Sequence, residues 1–201
     1  PLKTLTFHPE ARIVIVARGL LATAALSLLV GCGGGVSIGS GGVRIWPVPA
    51  SAVIFSDSPP VSYPDIYSST EKSIRINAAV NEIVSFQLAM RAEGTAPAGV
   101  RNLRLTDFRQ SGAVISVSRV RAYRELRIPV EDYPAWYLRL TPYLRARREY
   151  PDVLVPLESP EGALPIDLPA GRTEAVWVDI HVPPGTEPGA YTGQVHVETG
   201  G

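Results

Sequence analysis

Short apolar runs in which every second residue is polar constrain the fold of this chain more than any other feature. Phe86, Leu88 and Met90 fall on one face with Ser85, Gln87 and Arg91 on the other, and similar spacing recurs in residues 72–78 and 173–182. Because successive side chains of a strand point to opposite faces, this spacing predicts strands with one apolar face. Such strands form antiparallel sheets that are buried on one side and wet on the other.

The proline and glycine content indicates that many turns separate these strands. The 201 residues include 19 Pro and 18 Gly, and after residue 43 we find no apolar stripe of helical period. Two sheets that bury their apolar faces against each other are the simplest solution. The sequence therefore predicts an all-β domain over residues 43–201, an antiparallel β-sandwich of the immunoglobulin-like or jelly-roll-like kind. Further strands are expected at residues 100–108, 113–123, 126–130 and 190–198.

Charge and cysteine content exclude several classes of protein. Lys and Arg number 19, as do Asp and Glu, so no global field would attract nucleic acid. A single Cys excludes a disulfide framework and a multi-cysteine zinc site. We therefore expect no metal, no cofactor and no nucleic-acid partner.

Residues 1–31 have the features of a secretory signal peptide. Lys3, Arg12 and Arg18 precede an uncharged run of 12 residues, 19–30. At about 1.5 Å per residue this run is too short to cross the ~30 Å hydrocarbon layer as a helix. A positive flank, a short apolar core and small residues at its end predict an exported protein with an N-terminal signal helix. The alternative is a transmembrane anchor over residues 13–30, interrupted by Arg18.

The end of this run resembles the bacterial lipobox. It reads Leu29-Val30-Gly31-Cys32, and the single Cys of the chain stands where that motif is lipidated after cleavage. Residues 32–42 are rich in Gly and Ser and predict a flexible tether behind the lipidated Cys32. Since two or three acyl chains hold a protein firmly on a membrane, we expect a lipid-anchored protein of the bacterial cell envelope.

The last two predicted strands suggest a hairpin with a defined register. If their apolar residues share one face, Val182 lies opposite Tyr191 and Val178 opposite Val195. Trp177 and His196 then lie side by side on the other face. The Pro- and Gly-rich residues 183–190 would form the connecting loop.

Three segments resemble the N-terminal domain of glycoside hydrolase family 123 and its relatives among bacterial lipoproteins. They are INAAVNEIVSFQL at residues 76–88, EYPDVLVP at residues 149–156 and VWVDIHVPPGTEPGAYTG at residues 176–193. They occur in the family's order, although Val80 stands where the family often has Arg. In that family the sandwich precedes a (β/α)₈ barrel, whose Asp-Glu pair works with the substrate's 2-acetamido group to hydrolyse N-acetylgalactosaminides.

The resemblance implies that the catalytic residues are not in this chain. A barrel needs about 200 or more residues, so a barrel does not fit beside the sandwich, and we expect it as a missing C-terminal partner. Glu131 and Asp132 are the one adjacent acidic pair, but neighbours on a strand point to opposite faces, which favours a solvated turn. His181 and His196 would lie at opposite ends of one face, too far apart to share a metal. We assign no catalytic residue and no metal ligand.

An aromatic segment supplies the richest candidate binding surface. It contains Tyr133, Trp136, Tyr137 and Tyr143, whose rings suit sugars or a partner surface. The alternative is a long loop whose rings pack over one end of the sandwich. Trp177 poses a similar choice, since an outward Trp is either shielded by a neighbouring loop or is a docking anchor for the barrel.

Two functional hypotheses remain at this point. In the first, the chain is the non-catalytic module of a membrane-anchored, glycoside hydrolase-like lipoprotein and supports or docks the barrel. In the second, it is a self-standing surface lipoprotein that binds glycan or protein through the aromatic segment. A catalytic role for these residues alone is the weakest alternative.

Overall fold

Strands account for nearly all of the regular structure. A computed structural model describes residues 11–18, 42–68, 73–95, 98–130, 148–161 and 163–200. Within these ranges the only helical element is one 3₁₀ turn, Val117–Arg119. The strands are β1 (Ala11–Arg18), β2 (Val43–Pro49), β3 (Tyr67–Ser68), β4 (Ser73–Ala79), β5 (Ile83–Ala92), β6 (Ala98–Leu105), β7 (Phe108–Gln110), β8 (Ala113–Ile115), β9 (Val120–Val130), β10 (Arg148–Pro156), β11 (Ile166–Leu168), β12 (Thr173–His181) and β13 (Gly189–Gly200). The all-β prediction is confirmed.

The strands form two sheets that pack face to face. In the described part of the chain, the first sheet has the order β11-β6-β13-β1-β4-β3, with β7 paired to β13 and β8 paired to β7. The second sheet has the order β10-β9-β12-β5-β2. Neighbouring strands are antiparallel except β1 and β4, which run parallel. This arrangement is the predicted β-sandwich.

The core lies between the two sheets and uses the residues that the alternation selected. Phe86, Leu88 and Met90 of β5 are buried against Ile74 and Ile76 of β4. Their neighbours on the same strands point away from this core, so one face of each strand supplies most of the buried apolar area. Burial of such side chains contributes about 1.5–3 kcal/mol each.

The predicted hairpin between the last two strands is wrong. β12 lies in the second sheet between β5 and β9, whereas β13 lies in the first sheet between β1 and β6. The apolar residues of both strands do enter the same core, but they meet it from opposite sides. The alternation of apolar and polar residues determines which face of a strand is buried, but it does not determine which strand lies beside it.

Backbone hydrogen bonds show why the chain leaves the second sheet after β12. The N–H of Val182 donates to the carbonyl of Glu82, and the N–H of Asn81 donates to the carbonyl of Val182. These bonds continue the pairing with the β4–β5 turn beyond His181, so the chain runs on instead of turning back beside β12. It then crosses to the first sheet through residues 183–188.

The outer face of the second sheet is covered where the sequence predicts solvent. Residues 50–66, which we call the covering segment, connect β2 to β3. Ile54 of this segment joins a second buried cluster with Trp46, Ala89 and Ala175. The segment is also bonded to the sheet, because the N–H of Thr173 donates to the carbonyl of Ser56 over 2.8 Å. The expectation of one fully wet face is therefore wrong for this sheet.

Part of the predicted signal peptide forms a strand. β1 pairs with β13 on one side and with β4 on the other, and it is a strand where the sequence predicts a signal helix. The rest of residues 1–31, Cys32 and the tether up to residue 41 lie outside the described residues. Within the ranges that the structure covers, no helix has the length and apolar character needed to cross a membrane. The signal peptide, the tether and lipidation of Cys32 stay predictions.

The sandwich begins and ends at one pole. Val43 at the start of β2 pairs with Ala92, which bridges to Ala170 just beyond β11. β11 pairs with the start of β6, and there Gly99 pairs with Gly200 at the end of β13. The first residues of the domain and its last strand therefore lie at the same end of the two sheets.

Candidate functional site

A cavity of about 270 Å³ opens on the outer face of the second sheet, beside the covering segment. Its floor consists of side chains from the central strands, and its rim comes from the covering segment and β10. The lining residues are Ala50, Ala52, Val53, Gln87, Glu125, Pro151, Asp152, Leu154 and Trp177. Apolar walls with a few converging polar groups are typical of ligand pockets.

The strand register brings the polar residues and Trp177 together. Trp177 of β12 lies opposite Gln87 of β5, and Leu154 of β10 lies opposite Glu125 of β9. The neighbours of Trp177, Val176 and Val178, are fully buried in the core, so Trp177 points outward. A bulge between Pro151 and Val153 adds Asp152 to the edge of this row.

Glu125 is the most unusual residue of the cavity. Only 4% of its surface is exposed, yet its Oε1 atom has no hydrogen-bond partner among the residues that the structure describes. Burial raises the pKa of its carboxyl group to about 7, the charge of Arg127 lowers it and that of Glu174 raises it. A carboxyl group in this position changes its protonation near neutral pH.

The cation that lowers the pKa of Glu125 is already engaged. Arg127 donates from Nη1 to Oε1 of Glu174 over 2.7 Å, and the two side chains are only 8% and 12% exposed. The same guanidinium group also donates to the backbone carbonyl of Thr173. Because Arg127 forms this buried pair, Glu125 has no bonded counter-ion among the residues that the structure describes.

Trp177 is held in one orientation. Its indole Nε1 donates to Oδ1 of Asp179 over 2.6 Å, and the hydroxyl of Ser85 donates to the same oxygen over 2.6 Å. The side chain is half-buried, and Ala52 and Val53 of the covering segment line the same cavity. Whether Trp177 contacts a ligand or a partner stays a prediction.

Gln87 fixes the wall of the cavity. It is 2% exposed, and its Nε2 donates to the carbonyls of Ala52 over 2.8 Å and Pro49 over 3.1 Å. These bonds hold the covering segment against the sheet, so the wall does not depend on side-chain packing alone. The sequence places Gln87 on a polar face and gives no sign that this face is covered.

The remaining candidate residues are not brought to this cavity. Tyr133, Trp136, Tyr137 and Tyr143 lie outside the described residues, as does the Glu131-Asp132 pair, and their roles stay predictions. His181 and His196 lie on different sheets, not on one face as expected. No group of three or more His, Cys, Asp and Glu in the described ranges is arranged to hold a metal ion.

Comparison with known proteins relates most of the domain to one family. The glycoside hydrolase 123 N-terminal domain family matches residues 61–199. Among solved structures, a family 123 glycoside hydrolase from Clostridium perfringens, described for its hydrolysis of glycolipid glycans, has a similar fold with a TM-score of 0.53 at 14% identity. The similarity covers 78% of this chain but 24% of the clostridial one, so this chain spans about a quarter of that protein. No curated protein matches the chain.

Proposed function

This chain belongs to the family of glycoside hydrolase 123 N-terminal domains, and on that premise we propose that it is the non-catalytic β-sandwich module of a membrane-anchored glycoside hydrolase. The observation that carries the proposal is the match of residues 61–199 to an N-terminal domain, together with a fold that covers 24% of a larger family 123 enzyme. The module supports or docks a catalytic barrel that follows it. Fold alone does not establish function, so the experiment below measures activity directly.

The composition of the cavity supports a non-catalytic role. Glycoside hydrolysis uses two carboxyl groups that flank the scissile bond, one of them an acid with a raised pKa. Glu125 has a raised pKa, but it is 4% exposed at the floor of a cavity on the outer face of a sheet.

The substrate and the anchor complete the proposal. The clostridial enzyme is described for hydrolysis of glycolipid glycans. From the family resemblance, we assign N-acetylgalactosaminide-containing glycans to the parent protein of this chain. Cys32 carries the lipid that keeps the parent protein on the cell envelope. A lipid anchor suits an enzyme whose substrates are themselves held in a membrane.

The test compares the 201-residue chain with the protein encoded by the open reading frame that continues beyond the codon for Gly201. We expect the longer protein to hydrolyse an aryl N-acetylgalactosaminide and residues 1–201 to have no activity. In the longer protein, Glu131→Gln is expected to leave kcat unchanged, since the catalytic carboxylates lie in the barrel. Cys32→Ser is expected to move the activity from the membrane fraction to the soluble fraction.

Three results would contradict the proposal. Hydrolysis by residues 1–201 alone, abolished in Glu131→Gln, would make this chain the catalytic unit. A stop codon directly after Gly201 would favour a self-standing binding lipoprotein. Membrane association that survives Cys32→Ser would remove the lipid anchor while leaving the catalytic assignment in place.

A further inference from the structure

The cavity beside the covering segment has the features of a ligand site that the family assignment does not explain. We propose that the cavity lined by Trp177, Glu125 and Asp152 binds a single neutral pyranose ring of a glycan. The proposal concerns this chain alone. It holds whether or not a catalytic barrel follows Gly201.

The first argument is the buried oxygen of Glu125. Glu125 lines the cavity, and its buried Oε1 atom has no hydrogen-bond partner among the described residues. Buried polar atoms in native proteins nearly always have a partner, and an exception needs an explanation. A hydroxyl group of a bound sugar would supply the missing hydrogen bond.

The protonation of Glu125 suits a hydroxyl ligand. Burial raises the pKa of this carboxyl group to about 7, so both of its forms are populated at neutral pH. The neutral form donates one hydrogen bond and accepts others, and the ionised form accepts only. A sugar hydroxyl also both donates and accepts, so it can bond to either form.

The walls of the cavity suit the apolar faces of a sugar ring. Trp177 of β12 lies on one side of Glu125, Pro151 and Leu154 of β10 lie on the other, and Val53 lines the cavity with an exposed side chain. Because Asp179 holds the indole of Trp177, little conformational freedom is lost when a ligand packs against it. The exposed carboxylate of Asp152 offers a further acceptor for a ring hydroxyl.

The volume of the cavity limits the ligand to one ring. At about 270 Å³ it lies below the roughly 300–1,000 Å³ of sites for drug-sized molecules. The rest of a longer glycan would extend into solvent past Val53 and Leu154. We therefore expect weak binding, with a Kd on the order of millimolar.

The charges around Glu125 favour a neutral ligand over a cationic one. Arg127 lies close enough to lower the pKa of Glu125, and its guanidinium group is buried in a pair with Glu174. Because Glu174 balances the charge of Arg127, and Glu125 is mostly protonated below about pH 7, the cavity floor carries little net charge that could hold a cation. An uncharged sugar needs no counter-charge there.

The test is an NMR titration of the 201-residue chain with the methyl glycosides of galactose, glucose, N-acetylgalactosamine and N-acetylglucosamine. The indole N–H signal of Trp177 is assigned by its loss in Trp177→Phe. We expect at least one glycoside to shift this signal saturably. Glu125→Ala is expected to weaken the binding by about tenfold or more, and Glu125→Gln, which keeps the shape of the side chain, is expected to remove its pH dependence around pH 7.

Glu198→Ala is the matched control. Glu198 is an exposed carboxylate of β13 on the other sheet, paired with Arg104, and its loss is expected to leave glycoside binding unchanged. Thermal unfolding of each variant shows whether it is folded. The proposal is overturned if no glycoside shifts Trp177, if Glu125→Ala and Glu125→Gln both bind as the parent chain does, or if arginine methyl ester binds in preference to every sugar. None of these results affects the catalytic comparison of the longer protein.

Discussion

Glu125 makes the stability of this domain depend on pH. Its carboxyl group has a pKa of about 7 in the folded chain, against 4.5 for an unperturbed glutamate. Between these two values the folded state holds the proton more tightly than the unfolded state does. The free energy of unfolding therefore falls as pH rises through this window, and above about pH 7 the loss is complete.

Replacement of Glu125 by glutamine should remove this dependence. At pH 8 we expect Glu125→Gln to be more stable than the parent chain by up to about 3 kcal/mol, because it buries no charge. At pH 4 the two proteins should be equally stable. Urea unfolding at both pH values measures the difference. Glu198→Gln, which changes an exposed carboxylate, serves as the control. Parallel stability curves for the parent chain and Glu125→Gln would contradict this account.

Single residues were the hardest features to predict from the sequence. Trp177 was identified correctly as an outward-facing side chain. Its neighbours Val176 and Val178 are apolar and point into the core, so Trp177 between them points the other way. Glu125 was not identified, since in the sequence it is one of many charged residues on a strand. Its burial comes from β10 and the covering segment, which approach from distant parts of the chain.

At the level of elements, β1 has the most unusual position. It lies between β13 and β4, antiparallel to the first and parallel to the second, so β13 and β4 run antiparallel to each other. Cleavage before Cys32, which the lipobox predicts, would remove this strand from the sheet. Both neighbours would then expose backbone groups that β1 satisfies.

A chain that begins at Cys32 should show this loss. We expect it to unfold at a temperature lower by roughly 6–12 °C than the chain beginning at Ala11, if the strand contributes about 3 kcal/mol. Its open edges should also promote dimers. Thermal unfolding and size-exclusion chromatography measure the two effects. If the chains beginning at Cys32 and at Ala11 are equally stable and both monomeric, this expectation is wrong, and β4 and β13 pair directly once β1 is gone.

Strands were predicted where the alternation of apolar and polar residues determines them. Their ends were missed where local hydrogen bonds determine where a strand stops. Residues 113–123 were expected to form one strand, but β8 ends at Ile115 and β9 begins at Val120. Ser116 ends the first strand, since its hydroxyl accepts from the N–H of Ser118, and Asp107 accepts from the N–H of Val117. The bond to Asp107 spans ten positions, and neither bond leaves a periodic pattern in the sequence.

For the whole molecule, the sequence identified the architecture correctly. Two facing sheets follow from the alternation, and the three matching segments pointed to the family that the comparison confirms. The partners of β12 and β13 could not be predicted from the sequence. The same apolar residues would be buried whether the two strands lay side by side in one sheet or in opposite sheets. The covering segment could not be predicted either, since residues 50–66 have no regular period.

The shared pole of the domain has a consequence for how the parent protein would stand on a cell. A lipid at Cys32 and a domain joined after Gly200 would both leave from the end where Val43 meets Ala92. The sandwich would then project outward, and the attached enzyme would stay near the headgroups, at the height of short glycolipid sugars. Fluorophores placed at positions 42 and 200 should show efficient energy transfer, and a wide separation would rule this orientation out.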